Sequence, residues 1–586
     1  MKITLNKVQY DIDSIQEKQV TPFTAKISSG TVEWGDYAPC SIHEYRDFRG
    51  GLGLESEEKP SGRFYWSNGA ETTKEGYLTL GPLVSTAGAF GVQPSRMEDF
   101  TVSGTKRTFV IGNSICKYWT TDWQQADASA LATPTDSMVV TDGTATYLVI
   151  CNGVDVRYTS DGTTWSTLSS SNVKYMCMFD KRLIGIDAAY KTIYHSDRDN
   201  IDDAATGAMD SFTISGDYSV VTDLFEGKLL TTGEPCIYML TDTGLHAIDF
   251  YTQTCWKMEV RYPYTTNARV GMYWNSFLYI GTGQGIARVT PGQISQWGTD
   301  TDDGLPAAFQ GYVYDMVGTS HWVLMCMAGG TNDSIFKRHE STGGWNQVYS
   351  SSSAIECIHY SPASMFTNGR LWFGDGTNVK YIEFPDTTHD VTKVSSYNYC
   401  ASGDMYLTRF SRVSAMPKVG LSLEAVVEDL NDGEIVTPYY ILNDPSSLTA
   451  TDWTELDEWR TEPKVSSVLN SGSGERFYDI TFRLHLQRGS TTTKSPKVKS
   501  IGFKYLPLPS TISSWVFNVK AEGNRAKEIV DSLITARDNS VLCNFSPDGD
   551  TNISEKFVRI VSMPSRRELE GISAERLIQV TVTEVF

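Results

Sequence analysis

The sequence predicts a mainly β fold. A six- or seven-bladed β-propeller is expected first, then a β-sandwich, then a small C-terminal α+β module. Three observations predict it. A short strand–turn–strand unit recurs between about Thr108 and Phe384. Glycine (48 residues) and tyrosine (30) are abundant while only 20% of residues are charged, which favours turns and strands over helices. One stretch near the C-terminus, and no other, has convincing helical spacing.

Residues 148–165 show the repeated unit most plainly. The apolar run Leu148-Val149-Ile150-Cys151 suits a strand buried on both faces. Asn152-Gly153 supplies the positive φ angles of a tight hairpin. Val154, Val156 and Tyr158 then alternate, Asp161-Gly162 makes a second turn, and Trp165 closes the unit. The hairpin strand recurs as Ile115-Cys116-Lys117-Tyr118, Thr192-Ile193-Tyr194, Leu245 to Ile248, Gly285 to Val289, Ile335 to Arg338 and Val379 to Ile382, and these are read as inner strands. Trp123, Trp165, Phe212, Trp256, Trp297, Trp345 and Phe384 close successive copies at intervals of 39 to 48 residues. A period of roughly 40–50 residues in an all-β chain is that of propeller blades, which stack because one blade cannot bury both faces alone.

Four domains follow from this. Residues 1–103 read as an irregular, β-poor N-terminal arm with a first strand over Met1 to Tyr10. Its aromatics Trp34, Tyr45, Phe48, Phe64, Tyr65 and Trp66 have no period that would bury them within the segment. They are therefore expected against another subunit, and residues 104–508 are expected to fold without the arm. Residues 104–386 are the propeller. Residues 387–508 carry strands at Leu421 to Glu428, Ile435 to Leu442, Asp452 to Leu456, Tyr478 to Leu486 and Val498 to Tyr505, the spacing of a β-sandwich. Residues 509–586 read as the α+β module, with a helix over 521–537 and strands at Ser514 to Val519, Val541 to Phe545, Lys556 to Met563 and Leu577 to Val585.

The formal net charge of −20 opposes binding to naked nucleic acid, because phosphate contacts need clustered Lys and Arg. Met1 to Val20 has no apolar core of signal-peptide length, and no run approaches the roughly 18–20 residues of a spanning helix. Neither export by the usual route nor membrane insertion is expected. The 10 cysteines form no CxxC pair. Cys151, Cys177, Cys326 and Cys357 lie in apolar strands and read as buried reduced thiols.

No catalytic residue, metal site or cofactor site is assigned. Asp161 to Trp165 resembles the Asp-box hairpin of sialidase-type propellers, which is a folding device. Such an enzyme needs three converging arginines, and the repeats offer Arg157, Arg182, Arg198, Arg261, Arg269, Arg288, Arg338 and Arg370. Asp197, Asp199, Asp202 and Asp203, like Asp300, Asp302 and Asp303, read as solvated loop charge rather than calcium ligands. His195 and His246 read as polar residues at equivalent repeat positions.

Three stretches carry a family resemblance. They are Trp453-Thr454-Glu455-Leu456, Phe482-Arg483-Leu484-His485-Leu486, and Ser495-Pro496 running to Phe503-Lys504-Tyr505. They resemble the β-sandwich of proteins that build the tail or tail tip of tailed bacteriophages. Trp515-Val516-Phe517, Phe557 to Ile560 and Val580 to Phe586 resemble the terminal module of those proteins, and Phe48 to Leu52 with Asn68-Gly69 their N-terminal arm. The resemblance implies a virion structural protein. It would bind other tail proteins, in a symmetric homo-oligomeric ring, and a host surface glycan or receptor. The alternative is a glycan-cleaving or glycan-binding enzyme of sialidase type.

Overall fold

The structure is a computed structural model. It describes the chain apart from residues 21–40, 54–61, 75, 128–131, 144, 170–171, 202–208, 217–219, 243, 259–269, 283–284, 300–304, 329, 342, 412–416, 432, 443–450, 508–511, 540–542, 550–555, 565–575 and 585–586. Two compact units emerge. The smaller comprises Met1–Ser41, Ala415–Val419 and Leu506–Phe586, the larger Ile42–Ser414 and Gly420–Tyr505.

Seven four-stranded antiparallel sheets follow one another through the larger unit. Their first strands are Pro94–Val102, Asp136–Thr141, Val173–Phe179, Val221–Lys228, Gly271–Trp274, Tyr312–Gly318 and Ile358–Ser361. Each first strand touches the next, and the seventh touches the first, so they form a closed inner ring. The arrangement is mainly β and propeller-like. The strands read from sequence as inner, such as Ile115–Trp119 and Thr192–His195, are the third of each sheet. The second strands are the most apolar; Trp322–Ala328, for example, is buried along its whole length.

The ring begins earlier than position 104. Pro94–Val102 is the first strand of the first sheet, and Val84–Ala89 is the fourth strand of the seventh, paired with Asn378–Glu383. This second strand, Val-Ser-Thr-Ala-Gly-Ala, has almost no β signal of its own. It is held because it supplies the missing edge to a buried sheet, next to the cluster of Phe90, Met97, Val110, Trp372 and Val379.

Residues 41–80 do not form a free arm either. Two five-stranded sheets lie in the same unit, one with strand Ser41–Tyr45 and the other with Trp66–Asn68. Strands Lys418–Glu428, Ile435–Leu442, Ile480–Gln487 and Lys497–Pro507 make up most of the rest. Leu423, Phe482, Leu484 and Phe503 share one core between the sheets, and that core also takes in Tyr45, Phe48, Phe64 and Trp66. Trp66 stacks on Phe309 at 4.0 Å. Gly51, at φ +77, lies so close to the sixth sheet that a Cβ there would sit 2.5 Å from the Trp345 backbone. These aromatics are thus buried within their own chain. Trp34 lies outside the described residues.

In the smaller unit, both ends of the chain form one closed barrel. Its strands are Lys2–Leu5, Val8–Val20, Ile512–Ala521, Arg576–Glu584, Lys556–Ser562 and Cys543–Ser546, which returns to Lys2–Leu5. The single strand expected over Met1 to Tyr10 is a hairpin, because Asn6 and Lys7 both take positive φ (49° and 64°). The helix runs Ala526–Asn539, and Leu533, Ile534 and Ala536 pack into the barrel core with Ile3, Leu5, Phe517 and Val580. Tyr10 Oη lies 2.8 Å from Ser532 Oγ. Among the described residues, no helix is long and apolar enough to cross a membrane.

Candidate functional site

Four first strands of the ring carry a β-bulge near their start. The register jumps between Pro94 and Arg96, Val173 and Tyr175, Val221 and Asp223, and Val313 and Asp315. A bulge adds one residue and re-aims its neighbours. Here the added residues are Ser95, Lys174, Thr222 and Tyr314. Three of them line a cavity of about 360 Å³ at this end of the ring, together with Arg96, Tyr175, Val220 and Glu356.

The polar groups around the cavity tie adjacent sheets together. Asp136 accepts from Ser137 N (2.9 Å) and, across the joint, from Met176 N (2.8 Å). Asp223 accepts from Leu224 N (2.9 Å) and Gly271 N (2.7 Å). Asp315 accepts from Met316 N (2.9 Å) and Ile358 N (3.0 Å). The second, fourth and sixth sheets are each stapled to the next by the same device. Arg96 joins the first sheet to the second by donating to Thr135 O at 2.7 Å and facing Asp136 at 3.4 Å. Asp99 joins the first to the seventh by accepting from Ser361 Oγ at 2.7 Å beside His359 Nε2 at 3.2 Å.

Enclosure shifts these groups strongly. Burial raises the Glu98 and Asp223 carboxyls to about 7. It raises Asp136 and Asp315 as well, against the pull of Arg96. Burial draws Arg96 down, but Asp136, Asp315 and Asp223 outweigh it and leave the guanidinium above its ordinary value. Burial also lowers His359, and the hydrogen bond to Asp99 with that carboxylate's charge more than reverses it. A carboxyl with a folded pKa above its unfolded one keeps a proton that the unfolded chain has lost. Its contribution therefore weakens as pH rises between the two values, from about 4.5 to about 7 for Glu98. His359 adds the same sign. The protein is expected to melt at a higher temperature at pH 6 than at pH 8. Glu98→Gln, which mimics the protonated acid and can still accept from Ser137, should stabilise it by roughly 1–3 kcal/mol at pH 8 and flatten the pH dependence. A melting curve for E98Q that tracks the parent at both pH values would contradict this.

The residues singled out from sequence lie elsewhere. Asp161 accepts from Thr163 N (2.8 Å) and Thr164 N (2.7 Å), bonds that hold its carboxyl well below the usual range. The turn presses on the first sheet, where a Cβ on Gly162 would lie 2.6 Å from Val102. It is structural, as expected. Arg288 and Arg338 both lie over Trp297, at 5.7 and 4.0 Å, and Arg370 over Phe366 and Tyr381 at 4.2 and 4.1 Å. Arg182 lies over Phe250, and Arg198 pairs with Asp180 at 3.0 Å. None of these, nor Arg157, lines the cavity; the guanidinium there is Arg96. Arg261, Arg269, Asp202, Asp203, Asp300, Asp302 and Asp303 lie outside the described residues. Asp199 pairs with Lys181 at 2.9 Å. The pairing registers put His246 level with Tyr194, so His195 and His246 are not equivalent. Cys151, Cys177, Cys326 and Cys357 are buried free thiols, pushed up by burial.

No protein-family model and no curated protein matches the chain. Among solved structures, a streptogramin B lyase aligns at 10% identity with a TM-score of 0.39, over 52% of this chain and 97% of that one. The extracellular domain of a one component system of B. thetaiotaomicron aligns at 10% identity and 0.38, over 72% and 62%. That of a hybrid two component system of the same organism aligns at 9% and 0.40, over 72% and 63%. The chain spans less than two thirds of the latter two domains.

Proposed function

We propose that the chain is a structural protein of a tailed-bacteriophage virion, part of the tail or tail tip, that works by binding and not by catalysis. Its seven sheets are the blades of a seven-bladed propeller, its two five-stranded sheets are a β-sandwich, and the barrel is a further module. The observation that carries the non-catalytic reading is the use of three aspartates of the inner ring. Asp136, Asp223 and Asp315 each accept two backbone N–H groups, one from the neighbouring sheet. Carboxylates held this way rigidify a ring, whereas general acid–base work needs oxygens that reach a substrate. The tail reading is supported by the resemblance of Trp453 to Leu456, Phe482 to Leu486 and Ser495 to Tyr505. Its partners would be neighbouring tail subunits in a symmetric ring and a glycan or receptor on the host surface.

Gold-labelled antibody against the chain should decorate the tails of purified particles. Decoration of capsids, or none on tails opened with mild denaturant, would contradict the reading. The purified chain should also show no turnover of sialylated or polymeric bacterial glycans. Hydrolysis abolished by a point change at a propeller carboxylate would overturn the non-catalytic half.

A further inference from the structure

Most polar groups that line the cavity at the start of the first strands are already satisfied. Ser95 Oγ donates to Ile111 O at 3.2 Å, and Thr222 Oγ1 to Leu240 O at 3.4 Å. Arg96 donates to Ser95 O at 2.8 Å and Thr135 O at 2.7 Å. Tyr314 Oη lies 3.4 Å from Tyr312 Oη. Glu356 differs. It is half-buried at the cavity wall, and its carboxylate makes no hydrogen bond or ion pair with the described residues.

The surrounding charge defines what fits there. Of the two charged groups in the lining, Arg96 already faces Asp136 at 3.4 Å, and nearby Lys174 bonds Tyr190 Oη, so Glu356 is left as a carboxylate without a counter-charge among the described residues. An anionic ligand would meet this unpaired carboxylate. A cationic hydrogen-bond donor would pair with it, in a cavity also lined by Tyr175 and Tyr314, whose phenol rings favour a positive charge at their faces. About 360 Å³ is at the small end of ligand pockets, enough for a group of monosaccharide size. We propose that this cavity binds a small organic ammonium group, a primary amine on a compact ligand, with Glu356 as its counter-charge and Tyr175 and Tyr314 as its walls. The inference does not depend on the virion reading, since it concerns the isolated chain.

Calorimetric titration of the full-length chain with glucosamine, N-acetylglucosamine and putrescine tests it. Glucosamine, putrescine or both should bind, while N-acetylglucosamine, which lacks the charge, should not. Binding of glucosamine alone assigns the amine to a sugar; binding of putrescine alone assigns it to a polyamine. Glu356→Gln should weaken the interaction at least about tenfold, the worth of one charge-assisted contact. Tyr314→Leu should weaken it too, and the remote Glu522→Gln should not. Circular dichroism establishes that each variant is folded. No binding by either amine, equal binding of N-acetylglucosamine, or unchanged affinity in both E356Q and Y314L would overturn the assignment.

Discussion

A fragment of residues 104–508 is expected to be insoluble or molten, whereas residues 42–505 should fold cooperatively. The shorter fragment lacks Pro94–Val102, the first strand of the first sheet, and Val84–Ala89, which completes the seventh. It also lacks Trp66–Asn68 and the buried rings of Phe48, Phe64, Trp66, Phe90 and Phe100. Truncating one buried aromatic costs about 3–5 kcal/mol, and a domain's whole stability is about 5–15 kcal/mol. Losing five such rings together with two ring strands exceeds that margin. The unpaired edges left behind would promote aggregation. Circular dichroism and size-exclusion chromatography of both fragments test this. A soluble, native-like 104–508 monomer would show that residues 41–103 are dispensable and that the ring closes without them.

The second large effect is expected at Lys337. Its ammonium pairs with the Glu71 carboxylate, and the two side chains are only 6% and 3% exposed. Glu71 also accepts from Thr73 N at 3.0 Å, and Thr72 bonds Asn346, so residues 71–73 are fixed to the sixth sheet. Burial alone would raise the Glu71 carboxyl, but Lys337 and the Thr73 bonds outweigh it and hold it below its ordinary value. Lys337→Met leaves that carboxylate buried without its counter-ion and should cost about 3–5 kcal/mol. A carboxyl with a lowered folded pKa stabilises above its unfolded pKa and loses this as pH falls through the folded value. The penalty of K337M should therefore shrink in acid. Adding Glu71→Leu to Lys337→Met should restore most of the loss, because a well-packed apolar pair can replace a buried ion pair. Urea unfolding measures each step. A cost below about 1 kcal/mol for K337M would mean that the pair is solvated.

Sequence signals located the strands with clean periodicity. Ile435–Leu442 was expected at those bounds, and the hairpin strands at 115, 192, 245, 285, 335 and 379 all exist. Their place in each sheet was not legible. Four of the seven true inner strands carry bulges, at Ser95, Lys174, Thr222 and Tyr314, which break the alternation by which strands are recognised. The closing aromatics form regular punctuation but not a uniform core. Trp345 is buried, Trp165 half-buried, and Trp256 is 39% exposed. Val84–Ala89 owes its strand state to Asn378–Glu383, a partner hundreds of residues away, and no local pattern encodes that. The Asp136, Asp223 and Asp315 staples did leave a signal, an aspartate recurring every second repeat within the first strand. It is masked by the many loop aspartates and by the cleaner alternation of the third strands.

Quantitative mass spectrometry of tails separated from capsids bears most directly on the assignment of this chain to a virion. The expected result is a constant, whole-number ratio of the chain to the other tail proteins, preserved through gradient purification and washing in high salt. Recovery of the chain only as free protein, with none in washed tails, would contradict it.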